Sequence, residues 1–314
     1  MIKIDLITGF LGSGKTTFIH EYARYLIGKG LNIGILENDY GAINVDMMLL
    51  DDLPQDKCEL EMVIGGDYDC HRRRFKTKLI SMAMSGYDRV LVEPSGIYDV
   101  DEFFDVLYEE PLDRFYEKGN VISVFDAHLP DDLSDESDYL LAAQAANAGL
   151  IVISRAQEAD EAEIDGVIAH INRALEKYKC SRRIETRLAK DWSCLTPEDF
   201  SLIENCGCVS ADHVRLQVDH ENAYSSLFYM NVSMNAEELQ RTAEELFATP
   251  AYGTVIRVKG FVPQTGDEWL EINATKNKIT VEHARRGQAV LIVIGEKLSK
   301  DKIDKLFSPY LKIS

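Results

Sequence analysis

Short runs of β-branched and aliphatic residues recur along the first two thirds of the chain, with amphipathic stretches between them. They are IKIDLI at 2–7, NIGILE at 32–37, RVLVEP at 89–94, VISVFDA at 121–127 and LIVIS at 150–154. Strands apolar on both faces are what a sheet covered by helices on both sides requires, so the alternation predicts an α/β domain with a mainly parallel central sheet. The clearest helix runs from Thr16 to Lys29, with Phe18, Ile19, Tyr22 and Leu26 on one face and Gly30 as its stop; another spans roughly 158–177. From about residue 222 the rhythm changes to SSLFYMNVS, a helical NAEELQRTAEELFA, three strand-like runs (TVIRVKGFV, DEWLEINAT, AVLIVIG) and SKDKIDKLF. This β-α-β-β-β-α order predicts a smaller α+β domain with an antiparallel sheet. The boundary is placed near 215–221, giving domains at 1–218 and 222–314. Ala289–Ile294 has the length of a buried strand, and no apolar run approaches the roughly 18 residues that span a bilayer.

Composition narrows the class. The 314 residues suffice for two domains with separate cores. With 34 basic against 53 acidic side chains the formal charge is −19, so the average surface repels a phosphate backbone and nucleic acid is not expected as a partner. Neither is a membrane. The six cysteines are too sparse and irregular for a disulfide framework, and a motif that starts at residue 9 leaves no room for a signal peptide; a reduced, cytoplasmic setting is expected.

The chemistry begins with GFLGSGKTT, which matches G-x-x-x-x-G-K-[ST] at Gly9, Gly14, Lys15 and Thr16, directly after a strand and directly before a helix. Gly9, Gly12, Ser13, Gly14, Lys15, Thr16 and Thr17 form the candidate nucleotide-binding loop. Its backbone amides turn toward phosphates, Lys15 reaches the β/γ-phosphate oxygens and the Thr16 hydroxyl ligates Mg²⁺. Without ligand the Lys15 headgroup is expected to face solvent. The third run ends in Glu93-Pro94-Ser95-Gly96; in phosphate-loop NTPases this carboxylate holds the Mg²⁺ hydration shell and the glycine amide senses the γ-phosphate. Asn38-Asp39-Tyr40-Gly41 after the second run is a candidate switch, with Asp39 near the metal.

TGFLGSGKTT, ENDYGAINVD, VEPSG, SVFDA and, in the second domain, VIRVKGF together resemble the CobW-type metal-chaperone GTPases, relatives of the nickel-enzyme maturation GTPases of hydrogenase and urease. The resemblance covers nearly the whole chain. It implies a P-loop NTPase that binds Mg²⁺ and GTP and loads a transition metal into a client metalloprotein or cofactor pathway, with nucleotide hydrolysis gating release; a nucleotide-dependent homodimer is left open. Two motifs depart from the family's pattern. Where the family has Gly-Cys-x-Cys-Cys this chain has Gly66-Asp67-Tyr68-Asp69-Cys70, followed by His71. In an extended loop Asp67 and Asp69 point to one side beside Cys70 and His71, and such a set suits Zn²⁺ or another divalent transition metal less selectively than three thiolates do. Loss of the metal, leaving a polar switch loop that grips a partner protein, stays open. An EF-hand is excluded, since Arg72 and Lys78 would occupy its glycine and glutamate positions. Cys206-Gly207-Cys208, with Asp212 and His213, is a second candidate. Where the family has Asn-Lys-x-Asp, the fifth run leads into Ser154-Arg155-Ala156-Gln157. Gln157 cannot accept from guanine N1–H and N2–H together, which should cost guanine about 10- to 100-fold in preference. Its amide can meet adenine's edge instead, so ATP stays open. Arg155 can lay its stem and guanidinium plane along a base.

Overall fold

Seven strands pair in parallel, in the order β3-β2-β4-β1-β5-β6-β7. They are β1 (Ile2–Thr8), β2 (Ile33–Asp39), β3 (Cys58–Ile64), β4 (Arg89–Pro94), β5 (Tyr116–Asp126), β6 (Leu150–Ser154) and β7 (Arg187–Ala189). The computed structural model describes residues 1–39, 50, 52–64, 68–96, 98, 100–211, 224–266, 268–284 and 287–311, and the chain divides into the units Met1–Leu216 and Gln217–Ser314. The helices of the first unit are α1 (Lys15–Gly28), α2 (Tyr68–Ala83), α3 (Val100–Leu107), α4 (Leu112–Phe115), α5 (Asp135–Ala146), α6 (Glu161–Lys177) and α7 (Pro197–Glu204). β1 is central and buried on both faces: Ile4, Leu6 and Ile7 are each at most 1% exposed, and Asp5, also buried, is paired with Arg89 of β4 at 3.0 Å. One face receives α1 through Phe18, Ile19, Tyr22 and Leu26, each contributing about 1.5–3 kcal/mol of burial. Connections leave β1 toward β2 and later return on its other side to β5, so β1 lies at the point where strand order reverses, where open α/β sheets bind ligands at their carboxyl ends.

The sequence pattern omits β3 and β7. β3 alternates apolar with glutamate (Cys58-Glu59-Leu60-Glu61), as an edge strand with one wet face does, and β7 has only three residues. The two runs ending at Glu93 and Ser154 are therefore β4 and β6 in chain order.

The second unit is a five-stranded antiparallel sheet, ordered β11-β10-β9-β12-β8. Its elements are β8 (Tyr224–Met230), α8 (Ala236–Ala248), β9 (Thr254–Pro263), β10 (Trp269–Thr275), β11 (Ile279–Ala284), β12 (Val290–Glu296) and α9 (Lys300–Phe307). Four strands lie between the helices instead of the expected three; β11, at the sheet's edge and partly exposed, hides its strand character behind Glu282 and His283. Leu239, Ala243 and Leu246 of α8 and Ile303 and Phe307 of α9 share a core with Val258, Val262, Leu270, Ile272 and Val293 of the sheet. A capping box starts α8: the Asn235 side chain accepts from Glu238 N–H, and the Glu238 carboxylate accepts from Asn235 N–H, both at 2.9 Å. Among the described residues no helix is long and apolar enough to cross a membrane.

Candidate functional site

The segment from Gly9 to Gly14 connects β1 to α1 at the carboxyl edge of the sheet. Gly9 has φ 147°, and a Cβ there would lie 2.1 Å from the Val124 carbonyl oxygen of β5, so no other residue fits this close approach. Gly14 caps α1 in the left-handed region with no side-chain hydrogen bond to the helix, leaving the first-turn N–H groups available to an anion. Lys15 is only 6% exposed, contrary to the solvent-facing headgroup expected from sequence. Its Nζ donates to the carbonyls of Gly9 at 3.1 Å and Phe10 at 3.5 Å. A buried ammonium must be paired, and these carbonyls are among its acceptors. The Thr16 hydroxyl donates to Glu93 Oε1 at 2.9 Å, both side chains being buried. Glu37 of β2 stands in register with Glu93 and is also buried, so the strand ends bring carboxylate charge to one place. A hydroxyl beside a carboxylate is the hard oxygen set that Mg²⁺ takes.

Gly96 packs directly on the loop: a Cβ there would lie 2.8 Å from the Leu11 nitrogen and Cα. The Gly96 carbonyl accepts from Gln144 Nε2 at 2.9 Å, and the Gln144 carbonyl accepts from Ser123 Oγ at 2.5 Å. Sequence reading missed Gln144; its signal was an amide inside the apolar run LLAAQAA of a helix buried on every side. Ser95 N–H donates to the Asn38 carbonyl at 2.8 Å, tying the exits of β4 and β2 together. Asp39 ends β2, and its side chain lies outside the described residues.

On the far side of the loop Arg155 has φ 55°. Its guanidinium bonds Asp126 of the SVFDA segment and the Gly12 carbonyl, the latter at 3.2 Å. The group is thus spent on bracing the phosphate loop, leaving its stem for the contact with a base expected from sequence. A cavity of about 650 Å³ opens here, lined by Gly14, Thr17, Ser154, Arg155, Gln157 and Trp192 among others. Trp192 was also missed. Its ring lies 3.1 Å from the Cβ position of Gly14 and packs edge-on to Phe18, with centroids 5.6 Å apart.

A model of the CobW/HypB/UreG nucleotide-binding domain matches residues 3–184, and one of the cobalamin synthesis protein CobW C-terminal domain matches residues 225–311. The chain belongs to the CobW/HypB/UreG family. It is an NTP-hydrolysing enzyme of the phosphate-loop class, with the antiparallel CobW C-terminal unit attached. Among curated relatives, the zinc chaperone YjiA of Escherichia coli K12 is 24% identical over 273 residues, covering 83% of this chain and 81% of YjiA. The zinc chaperone YeiR of the same organism is 30% identical over 159 residues, covering 49% and 47%. A Zn(II)-bound triple mutant of YjiA GTPase aligns over 99% of both chains at 19% identity with a TM-score of 0.40. The hydrogenase maturation factor HypB from Archaeoglobus fulgidus covers 55% of this chain and 76% of its own at 18% identity, TM-score 0.33.

In this CobW chain three of the candidate metal residues, Asp69, Cys70 and His71, are helical and not in the expected extended loop. α2 begins at Tyr68, so Asp69, Cys70 and His71 occupy its first turn, where successive side chains diverge by about 100°. His71 is 2% exposed, while Cys70 is part-exposed with its Sγ 3.5 Å from the Arg73 guanidinium. Asp67 and the side chain of Asp69 lie outside the described residues. Among the described residues no three His, Cys, Asp or Glu side chains group as a metal site. Of the second candidate, Cys206 and Cys208 are both part-buried, and burial pushes the Cys206 thiol up to about 12, which keeps it protonated at neutral pH. Asp212 and His213 lie outside the described residues.

Proposed function

We propose that this protein is a Mg²⁺-dependent nucleotide switch that hydrolyses GTP and uses the cycle to hand a divalent transition metal, Zn²⁺ foremost, to a client protein or cofactor pathway. The observation that carries the reading is the Thr16–Glu93 hydrogen bond at 2.9 Å, beneath a phosphate loop on which Gly96 is packed. When triphosphate arrives, Lys15 exchanges the Gly9 and Phe10 carbonyls for phosphate oxygens, and the α1 amides take up the remaining charge. Thr16 and Glu93 would hold Mg²⁺, directly and through its water shell; when bound, the ion neutralises charge on the β- and γ-phosphates. In this reading Gly96 N–H reports the γ-phosphate, and its carbonyl, which accepts from Gln144 of α5, passes any movement on. The metal-handling half of the proposal draws on the zinc-chaperone relatives, on Asp69, Cys70 and His71 in the first turn of α2, and on Asp67 just before them in sequence.

Phosphate release measured against Mg²⁺ concentration tests the first half. The native protein should need Mg²⁺, and Thr16→Ala should turn over slowly with partial recovery at high Mg²⁺. Turnover indifferent to Mg²⁺ in both proteins would refute the assignment. The helical placement of Asp69, Cys70 and His71 also favours a second reading, in which the family's metal transport has been lost and the segment grips a partner during nucleotide-dependent assembly. Partner capture that survives chelation would favour that reading over metal delivery.

A further inference from the structure

The wall of the 650 Å³ cavity carries chemistry that phosphate binding does not use. The guanidinium of Arg155 is committed to Asp126 and Gly12. The Gln157 side chain is exposed and lines the cavity. Two wall residues, Ser154 and Trp192, each hold a buried polar atom with no partner among the described residues, the Ser154 Oγ and the Trp192 Nε1. The Trp192 indole fills the space over Gly14, at the exit of the phosphate loop where a bound nucleotide must turn from phosphate to sugar and base. Two carboxylates line the cavity, and both have partners: Asp191 accepts from Ser193 N–H at 2.9 Å, and Glu21 faces Arg24 and His20.

Guanine is distinguished from adenine by two adjacent donors, N1–H and N2–H, and a single carboxylate that is free to face them is the strongest reader of that pair. Gln157 offers one acceptor and one donor. That pair fits adenine's N6–H and N1, or half of guanine's edge, about equally. An aromatic surface holds any purine by its face and discriminates little. We propose that this cavity is a purine pocket with weak base discrimination, in which Trp192 supplies base-independent affinity and Gln157 reads either edge, so that adenosine and guanosine triphosphates are both substrates. The proposal rests on the nucleotide-switch reading above.

Competitive binding of GTP, ATP and CTP with Mg²⁺, read alongside Trp192 fluorescence in a Trp269→Phe background, tests both. The chain has two tryptophans, so the remaining signal is that of Trp192. In the unmodified pocket, GTP and ATP affinities should lie within about tenfold of each other, and Gln157→Asp should raise the guanine preference about 10- to 100-fold. Trp192→Ala should weaken both purines in the same proportion, about 5- to 150-fold, while Trp192→Phe retains most of the affinity because the ring face survives. A native preference for GTP above 100-fold overturns the proposal, and its loss in Asp191→Asn would then name Asp191 as the guanine reader. Equal purine affinities that do not respond to Trp192→Ala overturn the role of the indole. If no triphosphate binds, or if binding survives Lys15→Ala, the nucleotide-switch reading itself fails; binding that needs Lys15 but is strongly guanine-selective sinks only the purine proposal.

Discussion

Lys15 sits in a buried place with two carbonyl acceptors, and that pairing sets what its removal does. Lys15→Ala removes the charge that phosphate needs, and with it a buried cation that is itself costly to hold, so it should weaken triphosphate binding by at least about 100-fold while changing stability much less. Calorimetric titration paired with a thermal melt separates the two effects; unchanged affinity would remove the phosphate site. The loop was legible in the sequence because its function is carried by a fixed spacing of residue types, and Thr16, Glu93 and Gly96 came with it for the same reason. Gln144, Asp126 and Trp192 were not legible. Each acts through a contact with a residue far along the chain, 48, 29 and 178 positions away for Gly96, Arg155 and Gly14, and no local pattern encodes such a contact. Trp192 in particular looks like any loop aromatic until the fold lays it over Gly14. The burial of Lys15 was misjudged for a related reason: sequence shows a cation, while the acceptors that bury it are backbone atoms of its own turn.

At the level of elements, the switch depends on two strand exits meeting the phosphate loop. A methyl group on Gly96 would strike Leu11 backbone at 2.8 Å, and backbone cannot yield as a flexible side chain can. Gly96→Ala should therefore displace the loop and cut turnover about tenfold or more, with a modest fall in melting temperature; native turnover would show that the two segments are not in register contact during the cycle. The helix α7 offers a different handle. Asp199 accepts from Lys190 Nζ at 2.8 and 2.7 Å and from Thr196 N–H at 2.9 Å, closing a capping box beside the Trp192 segment. The Lys190 hydrogen bond, aided by Thr196, holds the Asp199 carboxyl below its ordinary value near 3.8. The folded state thus binds this proton less readily than the unfolded chain. Its stabilisation is fully present above about pH 4 and is lost as pH falls through the lowered value. Asn can still cap the helix, so the melting-temperature gap between the native protein and Asp199→Asn should be widest near neutrality and shrink below pH 4; a gap constant from pH 7 to 3 would assign the effect to packing. In the first unit the strands legible in the pattern are the inner ones, β2, β4, β1, β5 and β6; in the second, β8 and β10 were legible although each is only partly buried. Those it missed, β3, β7 and β11, are edge strands: charge interrupts the apolar signal in β3 and β11, and β7 has only three residues; the first turn of α2 lies where the family's motif implies a loop.

Across the first unit, the strand order β3-β2-β4-β1 sets the distance between nucleotide and metal segments. The end of β3 is separated from the end of β4 by two inter-strand spacings, about 10 Å, with the end of β2 between them. That gap is bridged by contacts. Glu93 meets Thr16, Ser95 N–H bonds the Asn38 carbonyl, and Asn38 lines a cavity of about 10 Å³ with His71, Tyr98 and Glu102. A shift of the β4 exit toward the γ-phosphate would thus reach the first turn of α2 through Asn38, and His71 cannot remain buried there if that turn rearranges to collect ligands. Linkage then requires that nucleotide and metal affinities change together. The metal affinity of the Asp67, Asp69, Cys70 and His71 segment should differ about 5- to 150-fold between nucleotide-free and triphosphate-bound protein, the range of ordinary two-site coupling. Co²⁺ titration followed by thiolate-to-metal absorption reads this directly. The band should disappear in Cys70→Ser. Equal Co²⁺ affinity in both nucleotide states would leave a metal site uncoupled from the switch. No Co²⁺ uptake at micromolar concentration in either state would leave His71 a buried switch residue and transfer the role of α2 to a protein partner.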